Sequence, residues 1–567
     1  MDNLVDGDGD AAEVLRVTDA LFGQYDATAR PMVDELQRLI APEDLAKAHF
    51  REGREDRTFC PEAREALKTL VSACSTYITP PGQKWMSLKS RLEHITPYSQ
   101  RSAVSSWFSK VTTLLHNEFA ESNFHPVVNS LFHDACLGGT AAVLIMGTED
   151  EPLYFAHVPL GTFAIAEDNR MQVCTLARRF QFTAAQAVAE FGYDALSAEA
   201  KADYDDPVRR YKNKRDYVHL TRPRGEGMYR NALRDVPSEL RRYEGLYVDE
   251  GARVLVKREG YFEFPYLVTR FERLGASPYG RPPGEKVLPV IKNLIKANRL
   301  VSAGFETQVF PRVFMLAGQK RQVGMSAGMV TTLSEREAQL NMPREWGTSS
   351  RPDTALAWLD RMEKHIRDAF CADQLLAITN RDSHKMTATE VDAVMDERVL
   401  SFAPSFVQFT YDFRSCIRRV LGILFRQNKL PREDMPSELF RVDAESKDVQ
   451  MLNPNVCYLG KISQAYERVQ RSGNRQVTDF ILQYTQRSGD TRMLDVFKPE
   501  QALRHELEVS GCPVDVVMDD VELEQMRQRK EQERQAAAEQ QDAAQAAEVM
   551  QRGGAAVAAM RRGGAAR

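Results

Sequence analysis

Residue types with chemical potential are few and scattered in this 567-residue chain. One pentad, Gly324-Met325-Ser326-Ala327-Gly328, has the form of a nucleophile elbow, in which a sharp strand-to-helix turn exposes a serine hydroxyl. Its surroundings do not complete a hydrolase. Lys320-Arg321-Gln322-Val323 stands where a long buried strand belongs, and no HGGG-type oxyanion segment lies upstream. The pentad therefore reads as a loop, with a serine hydrolase using Ser326 as the alternative function. Asp6-Gly7-Asp8-Gly9-Asp10 resembles the opening of a calcium loop, but Ala11 and Val17 occupy the places of its turn glycine and its bidentate glutamate, so it reads as a solvated acidic terminus. His116, His125 and His133 are too far apart to share one helical face as ligands. There is no Gly-rich, lysine-containing phosphate loop, and the eight cysteines show no zinc-ligand spacing and read as reduced thiols. The expectation is a protein that is not an enzyme, with no cofactor and no metal.

Charge placed on helices is the feature that remains. At about 100° per residue, Val287, Val290, Leu294 and Val301 fall on one side of a helix over 284–305, and Lys292, Lys296 and Arg299 fall together on the other. Such a helix packs on one side and presents a basic stripe on the other, either to solvent or to a polyanion.

The elements that must position this helix can be read on both sides of it. Residues 11–50, 61–78, 99–119 and 126–137 have apolar spacings of three and four, and the second of these stops at Thr79-Pro80-Pro81-Gly82. Gly138-Gly139 breaks the fourth before a short apolar strand, Ala142-Val143-Leu144-Ile145. Strand-like stretches fill 153–182 and 217–269, which gives an α+β body, predominantly helical overall. Residues 308–352 form a compact insertion. After it a helix starts with Asp353 as its N-cap behind Pro352 and carries Leu356, Leu359, Met362, Ile366 and Phe370. A polar loop follows, closed by the capping box Thr387-Ala388-Thr389-Glu390, which opens a helix running to about 428 with a kink at Pro404. Phe402, Phe406, Phe409, Tyr411 and Phe413 read as its core packing. Further helix is expected over 461–510, and the Glu/Gln/Ala-rich 521–551 suits a long exposed helix before a basic, Gly-rich tip.

Composition limits the partners. With 75 Lys+Arg against 80 Asp+Glu and a net charge of −5, the whole surface is no tight binder of nucleic acid. The acidic amino terminus predicts no secretion leader, and the longest apolar run is far short of a membrane span.

The order of these pieces resembles the head-to-tail connector, or portal, proteins of short-tailed bacteriophages, the podoviruses. Four stretches carry the resemblance: Ala66-Leu67-Lys68-Thr69-Leu70 through Thr79-Pro80-Pro81-Gly82-Gln83-Lys84-Trp85-Met86; Arg273-Leu274-Gly275-Ala276-Ser277-Pro278-Tyr279-Gly280-Arg281; Arg381 to Glu390; and the Gln/Ala-rich carboxyl tail. Each is short, and their collinearity over about 10–550 makes the likeness.

The resemblance implies a ring-shaped homo-oligomer, commonly of twelve subunits, at one capsid vertex. Its parts would be a wing over 1–280, a stem helix over 281–307, a clip over 308–352, a second stem helix over 353–379 and a channel (tunnel) loop over 380–386. A long kinked wing helix and return would follow over 387–450, a crown over 451–520, and a C-terminal helical barrel with a flexible basic tip over 521–567. Pro282, Pro283 and Pro289 make the start of the first stem helix irregular. The implied function is the DNA channel through which a separate terminase motor packages viral DNA and through which DNA is later ejected. Implied partners are other copies of the chain, the terminase large subunit, tail adaptor and nozzle proteins, scaffolding, major capsid and internal core proteins, and double-stranded DNA without sequence preference, with no membrane. The location would be the virion, and the host cytoplasm during assembly. On this reading Lys292, Lys296, Arg299, Arg381 and Lys385 are the DNA-proximal positives, and Arg312, Lys320, Arg321 and Arg344 are clip positions for docking. The competing non-enzymatic class is a capsid scaffold or adaptor without a DNA channel. About twelve copies at −5 each give roughly −60, a field that disfavours adhesion of DNA and suits a conduit.

Overall fold

The computed structural model describes residues 7–42, 59–90, 98–148, 151–225, 236–309, 312–314, 344–346, 352–372, 403–432, 435–442, 449–451, 454–459, 526 and 528–530. The chain forms two compact units, one of Met1–Lys89 and Val111–Asp479, the other of Ser90–Lys110 and Phe480–Arg567. In the smaller unit the described residues are mainly the first half of the helix Tyr98–Glu121. Everything that follows concerns the larger one.

Its body is an antiparallel sheet covered on both faces. The five strands are β4 (Phe163–Glu167), β5 (Val173–Thr183), β6 (Lys214–Pro223), β7 (Tyr243–Asp249) and β8 (Val254–Tyr261), in sequence order. Alternation along β6 and β7 sends Val218, Leu220, Leu246 and Val248 into one core and Tyr217 and Tyr247 into another, because successive side chains leave a strand on opposite faces. The first core is closed by helix α1 (Gly7–Thr28) through Ala11, Val14, Phe22 and Tyr25. It also takes in a three-stranded sheet, β3 (Tyr154–Val158), β2 (Thr140–Met146) and β9 (Tyr266–Arg270), in that order. The strand expected at Ala142 to Ile145 is β2, and the strand-like stretch over 153–182 divides into β3, β4 and β5, with breaks at 159–162 and 168–172.

Helices α2 (Arg30–Ile40), α3 (Pro61–Ile78) and α5 (Phe124–Gly138) complete the body. The Pro80-Pro81-Gly82 break after α3 turns the chain so that Trp85 is buried against Phe119, Phe124, Phe413 and Tyr458, with ring centroids 5.7–6.3 Å away. Its backbone N–H donates to His116 Nε2 at 3.1 Å, so this histidine is a satisfied core residue that burial holds below the usual imidazole range. His133 and His157 flank the Asp134 carboxylate at 3.4 and 2.8 Å. Among the described residues no group of three or more His, Cys, Asp or Glu is placed to hold a metal, and no disulfide joins the described cysteines. Gly7 to Asp10 lie in α1, so the calcium-like pattern is a helical first turn, with Asp10 paired to Arg258.

The long helix after the polar loop is described from Ala403 to Arg426. Pro404 lies in the described part of that helix, and the residues before Ala403, over which the helix is expected to begin, lie outside the described residues. The capping box at Thr387 to Glu390 and the helices expected over 461–510 lie outside the described residues. Phe409 and Phe413 are buried as expected, but Tyr411 is 45% exposed and its hydroxyl meets the Gln172 amide at 3.1 Å. Asp412 points inward, 3.7 Å from the buried Arg270, which is also held by Glu167. Burial pushes the Asp412 carboxyl up to about 6 against the opposing pull of Arg270 and the hydrogen bonds it accepts.

Candidate functional site

The basic stripe lies on a helical hairpin rooted in the body. The root is a close crossing of two backbones. Gly139, at φ 81°, leaves no room for a Cβ, which would sit 2.2 Å from the Gly280 carbonyl oxygen, and a Cβ on Gly280 would sit 2.3 Å from Gly139 O. The Gly280 N–H donates to Thr140 Oγ1 at 2.8 Å, and the Tyr279 hydroxyl accepts from the Ile165 N–H at 3.2 Å while its ring packs on Tyr25. The Tyr279-Gly280-Arg281 motif is therefore the joint that aims the first hairpin helix.

That helix, α9, runs Pro283–Val309 and continues through Pro289. Its start is regular at Pro283, since proline suits the first turn of a helix. The second hairpin helix, α10, runs Pro352–Ala369, so Asp353 lies inside its first turn and is not the N-cap. Pro352 takes the first helical position, where a donor is superfluous. The apolar faces meet through Val287, Ile291, Leu294 and Ala297 on α9 and Leu359, Met362, Ile366 and Phe370 on α10. Three expectations shift. Ile291 and Ala297 replace Val290 and Val301 as fully buried positions, and Leu356 is 45% exposed.

The two flanks of the hairpin differ. One is covered by α2 and α3: Lys292 Nζ lies 2.7 Å from Glu35, and Arg367 lies 3.5 Å from Glu62. On that side Arg299 and Glu306 line a cleft of about 430 Å³ with Phe59, Cys60 and Pro61. The Glu363 carboxyl is raised, first by burial and then by Glu62 and Asp360. The opposite flank is open. Stepping along the antiparallel pair from Gly284, beside Phe370, brings Lys296 level with Trp358. Lys296, Leu300, Trp358, Arg361 and His365 share this flank, and all are exposed. Of the five expected DNA-proximal positives, Lys292, Lys296 and Arg299 are all exposed on α9, with Lys292 paired to Glu35 and Arg299 lining the cleft, while Arg381 and Lys385 lie outside the described residues. Trp358 and Arg361 carried a signal that the charge stripe alone did not use, a lone tryptophan in an otherwise charged segment.

The insertion between the helices is described only at β10 (Arg312–Phe314) and β11 (Arg344–Trp346), an antiparallel pair with Arg312 opposite Trp346 and Phe314 opposite Arg344. Lys320, Arg321 and Ser326 lie outside the described residues. Among the described residues no helix is long and apolar enough to cross a membrane.

Comparison with known proteins places this arrangement. The family model described as bacteriophage head to tail connecting protein matches residues 19–517. The portal protein of Salmonella phage epsilon15 is 24% identical over 486 residues, covering 84% of this chain and 83% of that protein. A probable portal protein of Bordetella phage BPP-1 is 25% identical over 395 residues, covering 68% of each.

Proposed function

The chain belongs to the bacteriophage head to tail connecting protein family, and from that premise we propose that it acts as a ring of identical subunits at one capsid vertex. It is a portal protein, a structural component of the virion. The ring forms the channel through which a terminase motor drives double-stranded DNA into the capsid and through which DNA later leaves. Tail adaptor and nozzle proteins dock on the same ring, and scaffolding, major capsid and internal core proteins meet it during assembly in the host cytoplasm. The observation that carries the reading is the family match over 19–517, which takes in the body, both hairpin helices and the insertion together.

Within this reading the hairpin is the stem, the insertion over 308–352 is the clip, and residues 380–386 are the channel loop. Contact with DNA is by charge alone, since a lysine head group meets a phosphate without reading a base. Lys296 is the stem positive best placed for it, with Arg381 and Lys385 in the channel loop. Lys292 and Arg299 are candidates of second rank because the covered flank engages them. Arg312, Lys320, Arg321 and Arg344 are the clip positions for docking the motor and then the tail. Negative-stain microscopy and native mass spectrometry of the purified chain test the proposal: closed rings with an open centre are expected, and a monomer or a closed dimer under all conditions that preserve the fold overturns it.

A further inference from the structure

We propose that the cleft between the end of β8 and the long helix Ala403–Arg426 is a binding site for a phosphate-class oxyanion. The cleft holds about 450 Å³ and is walled by Met146 to Thr148, by β8 and its exit, and by Arg419, Ile423, Arg426 and Gln427. Its inner end carries an uneven charge. Arg419 Nη1 lies 3.0 Å from Glu263, and Arg426 holds both oxygens of the same carboxylate at 2.9 and 2.8 Å. Two guanidinium groups therefore share one carboxylate, and the Arg419 side chain is 9% exposed. Burial and the neighbouring Arg426 both weigh against the Arg419 charge, and its Nε is buried without an acceptor. A surplus positive charge out of water is costly unless an anion accompanies it.

The same end is framed by an aromatic ring. Arg426 and Arg241 both lie against Phe262, 4.7 and 5.0 Å from its centroid, and Arg241 is engaged there by the Val236 and Gly260 carbonyls at 2.9 and 3.0 Å, so the surplus charge belongs to Arg419 and Arg426. Gly422 lets Glu263 reach the arginines, since a Cβ there would stand 2.3 Å from Glu263 Oε1. The outer end has the opposite excess: Lys257 is held by both Glu190 and Glu259 at 3.1 and 2.6 Å, and Arg258 by Asp10, which leaves one carboxylate more than its cations. An incoming anion thus meets surplus positive charge only where Arg419 and Arg426 share Glu263. Planar guanidinium forks bind tetrahedral oxyanions through paired N–H donors, which favours phosphate over chloride. The cleft admits a single phosphate group and its water but not a duplex.

The test uses the full-length protein with inorganic phosphate as the probe, read by thermal unfolding and by titration calorimetry. Saturable stabilisation by phosphate, absent with chloride at equal ionic strength, is expected. Arg426→Gln should weaken phosphate binding about tenfold or more, the scale of one lost charged hydrogen bond. Lys257→Gln, at the outer end, should leave binding within a factor of about two. If Arg426→Gln does not fold, Arg426→Lys keeps the charge, loses the fork, and should show the same weakening. Equal stabilisation by phosphate and chloride, or an unchanged phosphate affinity in the folded Arg426 variant, overturns the site. Displacement of phosphate by a short DNA duplex overturns the assignment to a free oxyanion.

Discussion

The sheet body and the helical hairpin bury their large side chains to different degrees. Trp85 in the body is 1% exposed and meets aromatic rings on several sides, whereas Trp358 on the hairpin is 51% exposed. In the body even charged groups find partners within the chain, as Arg270 does with Glu167 and Asp412. On the hairpin Leu300, Phe305, Leu356 and Trp358 all stay in the open. The body buries its largest aromatic side chains within the protomer, and in the proposed ring the hairpin's exposed apolar side chains meet a neighbouring subunit.

The largest effect expected from this contrast separates the two tryptophans. Trp85→Ala should cost about 3–5 kcal/mol of body stability, since it empties an aromatic cavity that neighbours cannot refill. Trp358→Ala should change the same unfolding midpoint by less than about 0.5 kcal/mol, as a surface truncation does. Its cost should appear in native mass spectra, as a shift from rings toward smaller species. Denaturant titration of both variants decides the matter. Comparable losses of stability would place the Trp358 side chain in a protomer core and erase the contrast.

A smaller effect is expected inside the body as a function of pH. Burial pushes the Asp412 carboxyl of the folded protein up to about 6, above its ordinary value of 3.8. The folded state therefore holds this proton more tightly than the unfolded state. Stability from this group is full below the unfolded value and is lost as pH rises through about 6. A shift of about two units corresponds to roughly 3 kcal/mol. Asp412→Asn cannot titrate, so the difference in unfolding free energy between pH 4 and pH 7 should become more positive by about that amount relative to the parent. An unchanged pH dependence in the variant would mean that Arg270 compensates the carboxylate fully, making the body better balanced than its burial suggests.

The contrast also explains what could be read from the residues. The body strands were legible because each is long and apolar enough to betray its period, as in Ala142 to Ile145. Trp85 was legible as a motif because Pro80-Pro81-Gly82 fixes the turn before it. On α9, periodicity found Val287 and Leu294, and Ile291 and Ala297 continue the same face at steps of four and three, so the period that carries the first two carries these as well. The pairing of Lys292 with Glu35 joins residues far apart in sequence, so no local pattern announces it. That pairing is what sets Lys292 apart from Lys296 within the stripe.

That division gives the smallest effect and the sharpest test of which flank meets DNA. Lys296 is exposed on the open flank with no acid described against it, while Lys292 holds Glu35 at 2.7 Å. If Lys296 lines the channel, Lys296→Ala removes one phosphate contact from every subunit and leaves protomer stability unchanged. A single exposed charge is worth little, so in a defined packaging assay the rate should change by only about two- to threefold, and the change should shrink as salt rises. Lys292→Ala should do the reverse, costing up to about 1 kcal/mol of stability by freeing Glu35 while leaving the rate and its salt dependence alone. Should Lys292→Ala alter the salt dependence of packaging and Lys296→Ala not, the covered flank faces DNA, and the exposed Trp358 and Leu300 belong to a contact with another protein.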